Sequence, residues 1–114
     1  SLERQFHEGD KFYLVRDSNQ DLGFASISKR DDGSWFLNKL YVDTNNQRSG
    51  IGRDLMDQLI ALNEITVLRL QVNRQNYKAI NFYFKYGFVI EKVADFDIGN
   101  GYFMNDFIMI WNHS

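Results

Sequence analysis

Two glycines placed two positions apart, Gly50 and Gly52, stand in the polar run Gln47-Arg48-Ser49-Gly50-Ile51-Gly52-Arg53. An apolar, strand-like stretch precedes the run and an amphipathic, helix-like stretch follows it. Backbone N–H groups in the first turn of a helix have no intrahelical partner, and the helix dipole adds partial positive charge there. Glycine lets such a backbone approach a ligand closely. A phosphate or pyrophosphate is the natural guest, and Arg48 and Arg53 add charge of the right sign. A Gly-x-Gly pair is also a common turn, so the surrounding elements must decide.

The other candidate chemistries fall away one by one. The run Asp95-x-Asp97-x-Gly99-Asn100 has Gly99 and Asn100 where a calcium loop needs a ligand and a glycine. His7 and His113 lie near opposite ends without ligand-spaced partners. There is no cysteine, which removes disulfides, thiolate metal sites and a cysteine nucleophile. No Gly-x-Ser-x-Gly elbow occurs, and the glycine run lacks both the Gly-Lys-Ser/Thr ending of a nucleotide-hydrolase loop and the longer dinucleotide fingerprint.

The elements that would carry the glycine run read as follows. Ser1 to Gly9 is expected as the tail of a helix stopped by Gly9. Lys11 to Arg16 and Leu22 to Lys29 form an antiparallel hairpin across the turn cluster Asp17 to Asp21. Arg30 to Gly33 turns the chain into a third strand, Trp35 to Val42. The helix after Gly52 carries Leu55, Met56, Leu59, Ile60 and Leu62 on one face and ends at Asn63-Glu64. Val67 to Asn73 is a strand with Leu68, Leu70 and Val72 on one face, so strand, helix and strand imply a parallel pair. Asn76 caps a second helix, in which Ala79, Ile80, Tyr83 and Phe84 share a face and which Gly87 closes. Phe88 to Val93 is a strand, Asp95 to Gly101 a loop, and Tyr102 to Trp111 the last strand.

At 114 residues a single domain, 1–114, is expected. Hydrophobic residues make up 44%, enough for a packed core, and aromatics reach 16%, which suits a strand-rich core or an aromatic pocket. A net charge of -2 argues against nucleic acid as a partner. No apolar run approaches the roughly 20 residues of a membrane span, and no signal-peptide pattern is seen. A soluble, cytoplasmic protein is expected.

The glycine run matches the pattern Q/R-x-x-G-x-G/A, with Gln47, Gly50 and Gly52 at its defining positions. Downstream, Asn76-Tyr77-Lys78-Ala79-Ile80-Asn81-Phe82-Tyr83-Phe84-Lys85-Tyr86-Gly87-Phe88 fits N-x-x-A-x-x-F-Y-x-x-x-G-F. From about Phe12 to Trp111 the chain resembles the GNAT superfamily of acyl-CoA-dependent N-acetyltransferases. The resemblance implies an α+β fold: a mostly antiparallel, twisted sheet flanked by helices, with a parallel central pair splayed around the cofactor groove. It implies acetyl-CoA as co-substrate, with its pyrophosphate on the amides of Gln47, Arg48, Ser49, Gly50, Ile51, Gly52 and Arg53. The backbone of Leu40, Tyr41 and Val42 would hold the pantetheine arm and polarise the thioester carbonyl. Asn76 would contact the cofactor near its thiol, and Lys85 would reach a phosphate.

The same resemblance makes Tyr83 the general acid that protonates the departing thiolate. It implies direct transfer of acetyl to a primary amine of a small molecule or peptide. The general base stays open: Asp43, Glu91 and Asp106 are carboxylates in or beside the relevant strands, each expected to be a solvated surface charge. Members usually begin with a strand and two helices before the hairpin, and only Ser1 to Gly9 precedes it here. An N-terminally short domain is therefore expected, and an edge strand that invites a homodimer. The alternative reading is a catalytically weak acyl-CoA-binding or interaction module.

Overall fold

The computed structural model describes residues 2–7, 10–17, 20–42, 50–99 and 102–113, without the side chains of 2–7, 10, 15–17, 20–21, 95–99 and 102–104. Its contacts fall into two units, Ser1–Thr66 and Val67–Ser114.

In the first unit, β1 (Leu2–His7), β2 (Asp10–Asp17), β3 (Gln20–Lys29) and β4 (Trp35–Val42) pair antiparallel in chain order. The predicted hairpin is β2 and β3, and the predicted third strand is β4. The turn between β3 and β4 is stitched locally. Gly33 N–H donates to the Arg30 carbonyl at 3.0 Å, and Asp32 Oδ1 accepts from both the backbone N–H and the hydroxyl of Ser34, at 2.9 and 2.5 Å. A register shift at Ser26/Ile27 interrupts the β3–β4 ladder. Beside it Asn38 Nδ2 donates to Ser28 Oγ at 2.5 Å and Ser26 Oγ at 3.4 Å.

Helix α1 (Ile51–Ile60) packs on β2, β3 and β4. Its apolar spacing puts Ile51, Leu55, Met56 and Leu59 on one buried face. Each such side chain stabilises the fold by about 1.5–3 kcal/mol relative to exposure. The helix ends earlier than the sequence suggests, with its C-cap at Ala61 rather than at Asn63-Glu64; Ile60 and Leu62 are only half-buried. Lys11, 9% exposed on β2, reaches Glu64 Oε1 at 2.5 Å and lies 4.7 Å from the centre of the Trp35 ring. A buried ammonium requires such a partner, and this one ties β2 to the segment after α1.

The second unit holds β5 (Val67–Asn73), α2 (Tyr77–Lys85), β6 (Val89–Gly99) and β7 (Tyr102–Asn112). β7 pairs antiparallel with β5 on one side and β6 on the other. Leu68, Leu70 and Val72 alternate into the core with Met109 opposite Leu70. An extra residue, Glu91, interrupts the β6–β7 register between Ile90 and Lys92. Its carboxylate takes Arg69 Nε and Nη2 at 2.9 and 3.1 Å.

Two expectations are corrected here. Ser1 to Gly9 is not a helix tail: Leu2–His7 is a strand, paired residue by residue with β2 from Leu2↔Val15 to His7↔Asp10. A strand therefore does precede the hairpin. Nor is Asp95 to Gly101 a loop, because β6 runs on to Gly99 through Asp95↔Asn105, Phe96↔Met104 and Asp97↔Phe103. In both places ladder hydrogen bonds override local composition.

Candidate active site

The glycine run enters α1 through Gly50, whose φ of 82° and ψ of 11° are left-handed. That conformation suits glycine and is costly for residues with a Cβ. Among the described residues no side chain caps the helix start, and the first ladder bond described is Asp54 N–H to the Gly50 carbonyl at 2.9 Å. The N–H groups of Ile51 and Gly52 precede that bond, in the first turn, where helix geometry supplies no intrahelical acceptor. Among the described residues, a Cβ built on Gly50 would meet nothing within 4 Å. Donors of the kind that bind anions stand at this end of α1. Gln47, Arg48 and Ser49, expected to complete the cradle, lie outside the described residues, as does Asp43.

A residue the sequence did not single out sets the position of that helix end. Gly23 on β3 pairs with Val42 on β4. A Cβ on Gly23 would stand 2.7 Å from the Tyr41 carbonyl oxygen, 3.1 Å from Ile51 Cγ2 and 3.2 Å from Leu55 Cδ1. The last turn of β4 and the first turn of α1 thus meet over a bare backbone. Leu40 and Val42 are half-buried, whereas Tyr41 is exposed and stacks on Phe24 with centroids 5.6 Å apart. The only sequence signal was a glycine inside a strand pattern, which marks close approach without saying of what.

In the second unit, Asn76 caps α2 as expected, its side-chain oxygen accepting Ala79 N–H at 3.3 Å. The other end explains the downstream pattern physically. Tyr86 is the C-cap and Gly87, at φ 92°, follows it. Gly87 N–H donates to the Phe84 carbonyl at 3.0 Å and Phe88 N–H to the Tyr83 carbonyl at 3.2 Å. This pair of bonds is a Schellman motif, which brings the residue after the glycine onto the residue that accepts the longer bond. Here the Phe88 and Tyr83 rings lie 5.5 Å apart, and Phe82 holds the other side of Tyr83 at 5.5 Å. The spacing Tyr-x-x-x-Gly-Phe therefore fixes the Tyr83 ring through the helix terminator. Burial raises the Tyr83 phenol above its ordinary pKa, because desolvation penalises the phenolate. Lys85 is exposed in the last turn of the same helix.

Of the two described carboxylates, Glu91 is exposed as expected and Asp106 is not. Glu91 is held by Arg69, whose hydrogen bonds keep its carboxyl below the ordinary range. Asp106 is no solvated surface charge: it is 4% exposed and accepts Gln71 Nε2 at 2.5 Å and Asn73 Nδ2 at 3.3 Å. Burial is a tertiary property that a strand position alone does not reveal. Among the described residues no group of three or more His, Asp or Glu side chains is placed to hold a metal ion, and no helix is long and apolar enough to cross a membrane.

A strand, a glycine entry into an apolar-faced helix, and a second helix terminated around a tyrosine define the acetyltransferase class that the two motifs resemble. The sequence profile of the acetyltransferase (GNAT) domain matches residues 8–90, and the chain belongs to that family. It is similar to an uncharacterized N-acetyltransferase of Mycobacterium bovis, with 32% identity over 99 residues, 84% of this chain and 63% of the relative. It is also 29% identical over 90 residues to the peptidyl-lysine N-acetyltransferase YjaB of Escherichia coli, covering 79% of this chain and 56% of that one. The chain thus spans somewhat under two thirds of the length of these relatives. Among solved structures, the ribosomal-protein-S18-alanine N-acetyltransferase of Escherichia coli superposes with a TM-score of 0.77 at 25% identity, over 94% of this chain and 71% of that one. A GNAT family acetyltransferase from Elizabethkingia anophelis with acetyl-CoA bound gives 0.76 at 20% identity, over 92% and 77%. The fold is the one these acetyltransferases share.

Proposed function

We propose that this chain moves an acetyl group from acetyl-CoA to a primary amine by direct attack. The observation that carries the reading is the left-handed entry at Gly50, after which the N–H groups of Ile51 and Gly52 stand ahead of the first ladder bond of α1. These donors suit a diphosphate, and Gln47, Arg48 and Ser49 would extend the same cradle. Leu40, Tyr41 and Val42 would offer backbone groups to the pantetheine amides, as one strand does to another. Acetyl-CoA in the Elizabethkingia relative supports the choice of co-substrate.

In the reaction the neutral amine attacks the thioester carbonyl, and the tetrahedral adduct collapses by expelling the CoA thiolate. The thiolate takes a proton from Tyr83, and the attacking nitrogen loses one to water or a base. Burial keeps Tyr83 in its protonated, donating form throughout the neutral range. A thiol titrates near 8.5 and a phenol near 10, so complete transfer is uphill by about 1.5 units or more. Tyr83 therefore acts chiefly while charge builds on sulfur, and a general acid so placed contributes about 10²–10⁴-fold. Asn76 and Lys85 would contact the thiol end and a phosphate of the cofactor.

The acceptor is a primary amine of a peptide or a small molecule; YjaB is named for peptidyl-lysine and the ribosomal-protein enzyme for an alanine of protein S18. The test follows free thiol from acetyl-CoA against spermidine, a lysine peptide and an alanine-initiated peptide, beside CoA-dependent thermal stabilisation. Stabilisation with thiol release on at least one amine is expected. Stabilisation without release on any amine favours a binding module, and no stabilisation at saturating CoA refutes both.

A further inference from the structure

Asp106 is a buried carboxylate whose polar contacts lead toward the start of α2. Its oxygens face two neutral amides, Gln71 Nε2 at 2.5 Å and Asn73 Nδ2 at 3.3 Å. We infer that Asp106 is a positioning residue: it holds Asn73 in the one amide orientation that starts α2, the helix that carries Asn76 and Tyr83. Its bearing on catalysis rests on Tyr83 as proton donor; its bearing on the helix start does not.

The argument is one of donors and acceptors. A carboxylate only accepts, whereas an asparagine amide donates at one end and accepts at the other. Asn73 meets an acceptor at one end and a donor at the other: its Oδ1 takes the Gln75 N–H at 2.9 Å. Rotating the amide by half a turn would set oxygen against oxygen and NH2 against N–H. Both ends therefore specify the same orientation. From there the path is continuous. Asn76 N–H donates to the Asn73 carbonyl at 3.0 Å, Asn76 Oδ1 accepts Ala79 N–H at 3.3 Å, and Ile80 N–H reaches the Asn76 carbonyl at 3.0 Å. Gln71 fixes the carboxylate from its other side.

The backbone ladder does not depend on these side chains. Asn73 pairs with Asp106, and Arg74 N–H donates to the Asn105 carbonyl at 3.0 Å. Substitutions at positions 73 and 106 are thus expected to leave β5 and β7 paired.

The test is an exchange of polarity. Asp106→Asn keeps an acceptor for Gln71 but turns an NH2 toward that of Asn73, which must rotate and release Gln75 N–H. Asn73→Asp sets two carboxylates face to face. In the double variant the new amide at 106 donates to the new carboxylate at 73, whose second oxygen takes Gln75 N–H. Amide hydrogen exchange at Gln75 and Ala79 is expected to accelerate roughly five- to tenfold in each single variant, the loss of about one hydrogen bond, and to return to the native rate in the double. The rate constant for acetyl transfer to the best amine of the panel is expected to fall and recover in parallel.

Unchanged exchange in both single variants overturns the inference, and so does fast exchange that the double variant fails to restore. Restored exchange without restored turnover overturns the catalytic half alone. If the native chain transfers no acetyl group, the proposed function fails while exchange still judges the relay.

Discussion

Gly23→Ala separates steric from conformational control of the helix end proposed to hold CoA. The added Cβ would lie 2.7 Å from the Tyr41 carbonyl oxygen, where ordinary contact begins at 3.4 Å. Part of β4 or the first turn of α1 must therefore retreat by about 0.7 Å, against an expected overpacking cost of 1–3 kcal/mol. Alanine recovers about 0.5–1 kcal/mol of backbone entropy relative to glycine. The net loss is about 0–2.5 kcal/mol, or up to roughly 10 °C in Tm for a chain of this size. At a hundredfold excess over Kd, CoA stabilises the native chain by about 2.7 kcal/mol. A tenfold weaker grip removes about 1.4 kcal/mol and halves the CoA-dependent rise in Tm. Gly87→Ala is the companion. Its Cβ would meet only Trp111, at 3.6 and 3.8 Å, but φ is +92°. It costs about 1–2 kcal/mol through backbone strain and leaves the CoA-dependent rise intact. Differential scanning fluorimetry with and without CoA reads both. A Gly23→Ala chain with native Tm and an undiminished rise would refute the idea that bare backbone there seats α1.

Other outcomes can be checked with the same preparations. Gly50→Glu is expected to abolish the CoA-dependent rise, since it places a carboxylate beside the helix start; calorimetric titration with CoA checks it. Tyr83→Phe is expected to lower kcat about 10²-fold or more with CoA affinity unchanged, measured by thiol release and titration. The raised Tyr83 pKa stabilises the fold fully below the unfolded value of 10.0, and that contribution is lost as pH climbs through the folded value. Denaturation curves above about pH 10 should therefore fall more steeply for the native chain than for Tyr83→Phe. Glu91 has the opposite sign: its lowered pKa stabilises above the unfolded value of 4.5 and is lost as pH falls. Arg69→Ala is expected to cost at most about 1 kcal/mol near neutrality, because the pair is solvent-screened, and nothing in acid; urea curves at both pH values decide.

What the sequence disclosed was whatever its local pattern could encode. The apolar stripe of α1 from Leu55 to Leu59, the alternation of Leu68, Leu70 and Val72, the Asn76 cap and the Gly87 stop are all short-range signals, and each stands where expected; the α1 helix end does not. The errors came where a partner strand dictates the backbone. Leu2–His7 mixes charges and apolar residues without clean alternation, so only its pairing with β2 makes it a strand. Asp95, Asp97 and Gly99 favour turns on their own, yet the ladder to β7 extends them. The site divided the same way. The glycine entry and Tyr83 sit in recognisable spacings, whereas the contact over Gly23 and the burial of Asp106 arise from chain segments far apart in sequence.

Asn76 has a consequence of its own. Its side-chain oxygen already accepts from the helix start, so on the proposed reading the NH2 is the half that would address the co-substrate. A donor there would favour lone pairs over ammonium. A guest would lie with a carbonyl or phosphoryl oxygen toward that corner, its orientation set before any bond is made or broken.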